Sequence, residues 1–272
     1  MLKMAIVGFV LGIVVASVSL WSYRTSASGQ RAGDVAARTA DGHPDLSGIW
    51  QANNSANWDI QDHSARQGPI LALGAAFSVP AGQGVVEGNE IPYQPWAAAK
   101  KNENGENWLK RDPEIKCFMP GVPRANYMPF PFQITQTPTH IMMAYEFADA
   151  GRTIYMGKGP ENGLDTWMGH SVGRWEGDTL VVDVSSFTDQ TWFDRAGNFH
   201  SEALRVVERY TRTSPDALQY VATIDDPKVF TRPWTMSMPL YRRAEKNVQL
   251  LEYKCVEFAE DVMYGHLRKS VE

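Results

Sequence analysis

From Phe132 onward the chain is a succession of short β-branched and aromatic stretches separated by turn residues. Phe132 to Thr137 and His140 to Phe147 flank Pro138, and Asp149-Ala150-Gly151 leads into Arg152 to Met156. Ser171 to Trp175 and Thr179 to Val184 flank Glu176-Gly177-Asp178, a short hairpin with glycine in its turn. Ala203 to Thr213 and Ala217 to Ile224 flank Ser214-Pro215-Asp216, a second hairpin. Phe230 to Met238 and Asn247 to Cys255 follow, divided at Arg242-Arg243. Strands spaced by roughly 8–12 residues suit a barrel or a sandwich. No crossover helix is evident between them, which disfavours a parallel α/β sheet. The expected fold is all-β, an antiparallel barrel.

Alternation sorts the strand faces. Leu204, Val206, Glu208 and Tyr210 share one face, and Arg205, Val207 and Arg209 the other. Leu218, Tyr220, Ala222 and Ile224 form an apolar face, as do Phe230, Arg232, Trp234, Met236 and Met238. Glu208 and Arg232 therefore fall among apolar neighbours. A charge is rarely buried unpaired, so the expectation is a Glu208–Arg232 ion pair inside the barrel, the alternative being an edge strand with Glu208 in solvent. The first half is less patterned. Leu46 to Ala52 reads as a first strand, Pro95 to Asn102 as a short helix interrupted at Asn104-Gly105, and 61–93 as irregular covering loops.

Ahead of this body, Lys3 precedes Met4 to Trp21, an 18-residue stretch without charge. It reads as a signal peptide or an inner-membrane anchor over residues 1–24, followed by a flexible linker over 25–44 and a single barrel domain over 45–272. The body is therefore expected to be periplasmic or secreted, with membrane contact only through residues 4–21. Its two cysteines, Cys117 and Cys255, read either as a disulfide of that compartment or as two buried thiols. Twenty-six Lys and Arg stand against 31 Asp and Glu, a net charge of −5 that rules out a generally basic nucleic-acid footprint. Nine Trp, ten Tyr and eleven Phe supply large flat surfaces for a core or for a ligand.

Asp45-Leu46-Ser47-Gly48-Ile49-Trp50 contains Gly48-x-Trp50, which resembles the opening of the first strand in lipocalins. More specifically, Cys117-Phe118-Met119-Pro120-Gly121-Val122-Pro123-Arg124, Arg152 to Met156 and Trp167 to Val182 resemble a family of exported bacterial lipocalin-like β-barrel proteins. The likeness continues through His200-Ser201-Glu202, Glu208-Arg209, Asp225-Asp226-Pro227 and Leu251 to Cys255. It spans about residues 45 to 257 and implies a calycin-like barrel in a periplasmic or secreted setting. No catalytic residue comes with it. Gly157-Lys158 departs from the pattern, which carries an Asp-Gly-Arg turn there.

Six histidines are present, without a His-Glu-x-x-His pair or a Cys-x-x-Cys, and the expectation is no metal and no cofactor, the alternative being that His170 and the carboxylates after it hold a metal. His170 stands in a Gly-His-Ser turn ahead of a hairpin, where a barrel rim would be, and Asp194, His200, Glu202 and Glu208 follow on the next connection and strand. Imidazole titrates near neutrality and a carboxylate can fix its tautomer, so His170, Asp194, His200 and Glu208 are candidate acid/base groups. The competing reading is that the histidines cap loop backbones. Ser171 lacks the strand-to-helix context of a nucleophile elbow, and Gly157-Lys158-Gly159-Pro160 lacks the rest of a phosphate loop. Tyr155, Trp167, Trp192, Arg232 and Trp234 are candidate ligand contacts, with Trp175 in the same set of aromatics.

Three functions fit these residues. One is a lipocalin-like protein binding a small hydrophobic or aromatic molecule in or at the mouth of the barrel. Another is an envelope hydrolase, lyase or isomerase using His170 with nearby carboxylates. The last is an interaction protein with a filled barrel.

Overall fold

The computed structural model describes residues 37–159 and 164–267. The apolar N-terminal stretch and its export or anchor reading lie outside the described residues. Among the described residues no helix is long and apolar enough to cross a membrane.

Nine strands close into a barrel in chain order: β1 Gly48–Ala52, β2 Phe132–Gln136, β3 His140–Tyr145, β4 Gly151–Met156, β5 His170–Glu176, β6 Thr179–Ser185, β7 Arg205–Ser214, β8 Ala217–Asp225 and β9 Trp234–Arg242. β9 returns to β1 through Trp50↔Arg242, Gln51↔Tyr241 and Ala52↔Leu240, which closes the ring of strands. That closure explains why the apolar segment 247–255 is not a strand. Both ends of the strand order are already joined to each other. Among these nine strands every pairing is antiparallel except one: β4 and β5 run parallel through Ile154↔Ser171, Tyr155↔Val172 and Met156↔Gly173. The sheet is therefore mixed, and a wholly antiparallel barrel is corrected at this seam. A parallel step needs a crossover instead of a hairpin, and the described residues of this one, 157–159 and 164–169, are not helical.

Strand direction gives the barrel two unlike ends. One carries the tight β2–β3, β5–β6 and β7–β8 hairpins. Trp50 packs towards it, fully buried, its indole Nε1 donating to the Leu46 carbonyl at 2.9 Å and the Arg242 guanidinium 6.0 Å from the ring centroid. Gly48 lies at φ +147 with that guanidinium 3.3 Å from where a Cβ would stand, so the first strand opens on glycine. His43 stacks on Trp175 with ring centroids 4.6 Å apart. The other end receives the long connections 53–131, 186–204 and 226–233.

The connection 53–131 carries α1 (Pro95–Glu106) and α2 (Trp108–Arg111). α1 runs through Asn104-Gly105, where the sequence suggested an interruption. Gly105 is tolerated because the 196–197 turn packs onto it. An added Cβ would stand 2.4 Å from the Ala196 carbonyl oxygen. The covering segments hold a small core of their own: Trp108, Leu109 and Ile115 with Trp58, Trp192 and Phe258. The Arg195 guanidinium lies 4.6 Å from the centroids of both Trp58 and Trp108. Beside them Arg124 forks onto Asp112 at 2.8 and 2.9 Å and reaches Glu114 at 2.8 Å, and Arg195 grips the same Glu114. Such charges hold a fold together only while all are paired. Cys117 follows this cluster and is bridged to Cys255, with Cα atoms 5.7 Å apart, binding the segment after β9 to the covering layer.

Candidate functional site

Alternation along β7 points Val206, Glu208 and Tyr210 inward, as the sequence implied, and all three are buried. The partner of Glu208 is not Arg232. β9 begins at Trp234, so Arg232 sits in a bend outside the strand period, exposed and 3.5 Å from Glu90. Glu208 is paired with Arg152 of β4 at 2.7 and 3.1 Å. The hydroxyls of Tyr210 and Tyr220 each donate to its Oε1 at 2.8 Å, and the Asn126 amide donates at 3.0 Å. Tyr145 in turn donates to Asn126. Burial alone would lower the Arg152 pKa, but the adjacent Glu208 carboxylate overrides it and holds the guanidinium well above its ordinary value. The same burial, with Arg152 opposing, pushes the Tyr145 phenol up to about 12. The middle of the barrel is thus filled by a locked ion pair and tyrosines. A ligand cannot enter there without breaking it.

The remaining candidates separate. By strand direction His170, at the head of β5, and the connection carrying Asp194 and His200 lie at the same barrel end. They do not form a cluster. His200 is buried between Phe187 and Phe193. Its Nδ1 lies 2.8 Å from the Ser201 carbonyl and therefore donates, which leaves Nε2 to accept from the Thr191 hydroxyl at 2.6 Å. Burial lowers its pKa and keeps it neutral. His200 is a loop clamp. Asp194 is wholly buried and accepts from Ile60 N at 2.9 Å, Asn198 N at 3.1 Å and the Asn198 amide at 2.5 Å. Burial, reinforced by Asp59, pushes its pKa up to about 7. It ties two covering segments. Trp234 is buried against Phe193 and Phe230, and Trp192 packs into the small core of the covering layer. No hydrogen bond joins His170 to Asp194, His200 or Glu208 among the described residues, and Trp192 and Trp234 pack in clusters while Arg232 is at the surface.

Three of the predicted residues do converge. β5 starts level with Ile154, so Gly151, Arg152 and Thr153 continue past the parallel pairing without a partner from β5. The sheet opens there into a cleft of about 390 Å³ lined by Tyr155, Trp167 and His170, with Met119 and Thr153. Arg152 and Ser171, both buried, also border it, so the cleft adjoins the internal ion pair. Trp167 packs on Phe118 with centroids 5.0 Å apart, and Phe118 and Met119 are each about two-fifths exposed. His170 Nε2 lies 2.8 Å from the Leu164 carbonyl, so Nε2 carries the hydrogen and Nδ1 is left as an acceptor. Among the described residues no carboxylate bonds its ring, and no group of three or more His, Cys, Asp or Glu could hold a metal. The sequence reading missed Phe118 and Met119. The signal was their place directly after Cys117, since the bridge to Cys255 fixes that segment beside the rim.

No family model matches this chain, and no curated protein matches it. Among solved structures it is similar to a crystal structure of the fluorescent protein UnaG carrying an N57A substitution, at 12% identity over 74% of this chain and 97% of that one, with a TM-score of 0.31. A likeness that weak carries no argument, and the barrel assignment stands on the strand pairings themselves.

Proposed function

We propose that this protein binds a small, flat hydrophobic or aromatic molecule at the rim of the barrel, in the cleft at the β4–β5 seam. The observation that carries this reading is the convergence of Tyr155, Trp167, Met119 and His170 on one opening of about 390 Å³, a volume within the usual range for small-molecule sites. The aromatic and thioether walls offer dispersion contact and ring stacking. His170 Nδ1 offers one acceptor to a polar head such as a phenolic hydroxyl. Acid/base chemistry is less well supported, since His170 lacks the carboxylate that would set it as a general base. The proposal includes an exported setting, which the Cys117–Cys255 bridge supports because disulfides persist in oxidising compartments.

The test is a fluorescence titration of the full chain with 2-naphthol, whose ring and hydroxyl match the cleft. Saturable binding is expected, and Trp167→Ala should weaken it by about tenfold or more, as loss of a central aromatic contact does. His170→Ala should weaken it too while moving Tm by no more than about 5 °C, because only the single bond to the Leu164 carbonyl is lost. Absence of saturable binding, or binding that neither substitution alters, would sink the proposal.

A further inference from the structure

A second cleft lies on the outside of the protein where the chain leaves β1, in the β1–β2 sector. It is independent of the rim site. Its volume is about 530 Å³ and it is formed by residues 53–58 against 80–83 and Pro129. Its lining is unusual in kind. In a chain with 21% charged residues, none of the lining side chains is charged. Amides dominate, with Asn53, Asn54, Asn57 and Gln83 joined by Ser55 and the half-buried indole of Trp58.

These amides divide into two groups. Asn57 and Asn54 are held by the protein. Asn57 accepts from Arg124 Nε at 2.9 Å, and Asn54 accepts from Ala56 N at 3.0 Å. They make a fixed wall. Asn53, Ser55 and Gln83 make no side-chain hydrogen bond among the described residues, so their donors and acceptors are available outward. Trp58 is braced from behind by Arg195, 4.6 Å from its ring centroid, and edge-on by Trp108.

The chemistry of such a lining selects its ligand. An anion would call for Lys or Arg and a cation for a carboxylate, and neither is present in the wall. A wholly apolar molecule would leave the free amides without partners. An amide offers one donor and one acceptor side by side, which matches neighbouring hydroxyls of a sugar ring, and an indole offers an apolar surface to its C–H groups. We propose that this cleft binds a neutral carbohydrate of about one to two sugar rings, a size consistent with the general range of ligand cavities.

Isothermal titration calorimetry of the full chain with cellobiose, maltose, lactose and trehalose, each alone, tests this. At least one should bind saturably with Kd below about 10 mM, as expected for an open, hydrogen-bonding site. The double variant Asn53→Ala/Gln83→Ala removes two exposed side chains that hold nothing inside the protein, so its Tm should equal that of the parent. Its affinity for the same sugar should fall about tenfold or more. The proposal is overturned if no sugar gives saturable heat up to about 50 mM, or if the folded double variant binds as tightly as the parent.

Discussion

Glu208→Gln is the most informative single change. Glu208 is fully buried and accepts five hydrogen bonds, two from Arg152 and one each from Tyr210, Tyr220 and Asn126. Glutamine keeps the shape and one carbonyl oxygen. It replaces the other oxygen by an NH2 group among donors and leaves the buried Arg152 guanidinium without a counter-charge. Breaking one side of a buried pair costs about 3–5 kcal/mol, mostly the penalty of the stranded charge. Removing both charges with Arg152→Met/Glu208→Leu should therefore cost less than the two single changes combined, by about 1–3 kcal/mol of coupling. Urea denaturation under non-reducing conditions, at low and high salt, measures these quantities without adding an ionic denaturant. Because the pair is buried, salt should leave the difference nearly unchanged. A loss below about 1 kcal/mol for Glu208→Gln, or strictly additive single changes, would refute the claim that a locked pair fills the barrel.

Three further outcomes are expected. Reduction of Cys117–Cys255 should lower stability by up to about 4–5 kcal/mol, the chain-entropy value for so long a loop, read as a shift of the urea midpoint on adding a phosphine; unchanged stability would contradict it. Trp50→Ala should cost about 3–5 kcal/mol in the same assay, since the indole is fully buried and its Nε1 is bonded. Asp194 makes stability fall as pH rises: its folded pKa of about 7 exceeds the ordinary 3.8, so the native state binds the extra proton between those values and loses that advantage towards pH 7, at up to about 1.4 kcal/mol per pH unit. His200, held neutral by burial, acts in the opposite sense below its ordinary 6.5, so the Asp194 contribution is read as the difference between the parent and Asp194→Asn across pH 4–8, and a difference flat with pH would exclude it.

What the sequence disclosed was set by the range of the interactions involved. A two-residue period is local, so the inward face of β7 and the buried row of β8 are legible, and Glu208 falls on the apolar face, with its burial left open between an interior pair and an edge strand. Its partner is not legible, because periodicity assigns a residue to a face and says nothing about which strand lies across the barrel. Arg152 comes from β4, whereas the period suggested Arg232 of a strand that starts later. The parallel seam was equally hidden. Arg152 to Met156 and Ser171 to Trp175 both read as strands, but their relative direction depends on 157–169, which carries no helical pattern. Gly105 misled for the same reason: its meaning comes from a turn at Ala196, far away in sequence.

The seam also explains why the proposed site is where it is. Had β4 and β5 been joined by a hairpin, their pairing would have run to the strand ends, and Gly151 to Thr153 would have been covered. The parallel step moves the start of β5 to His170, level with the middle of β4, and leaves those backbone groups facing the crossover. The chain then lines the opening with Trp167 and with Met119, two residues after the bridged Cys117, instead of closing it with a strand. The Arg152–Glu208 pair occupies the interior. The parallel step in an otherwise antiparallel strand order is therefore the place where apolar side chains, a histidine acceptor and open volume coincide, and irregularities in strand pairing are over-represented beside working sites.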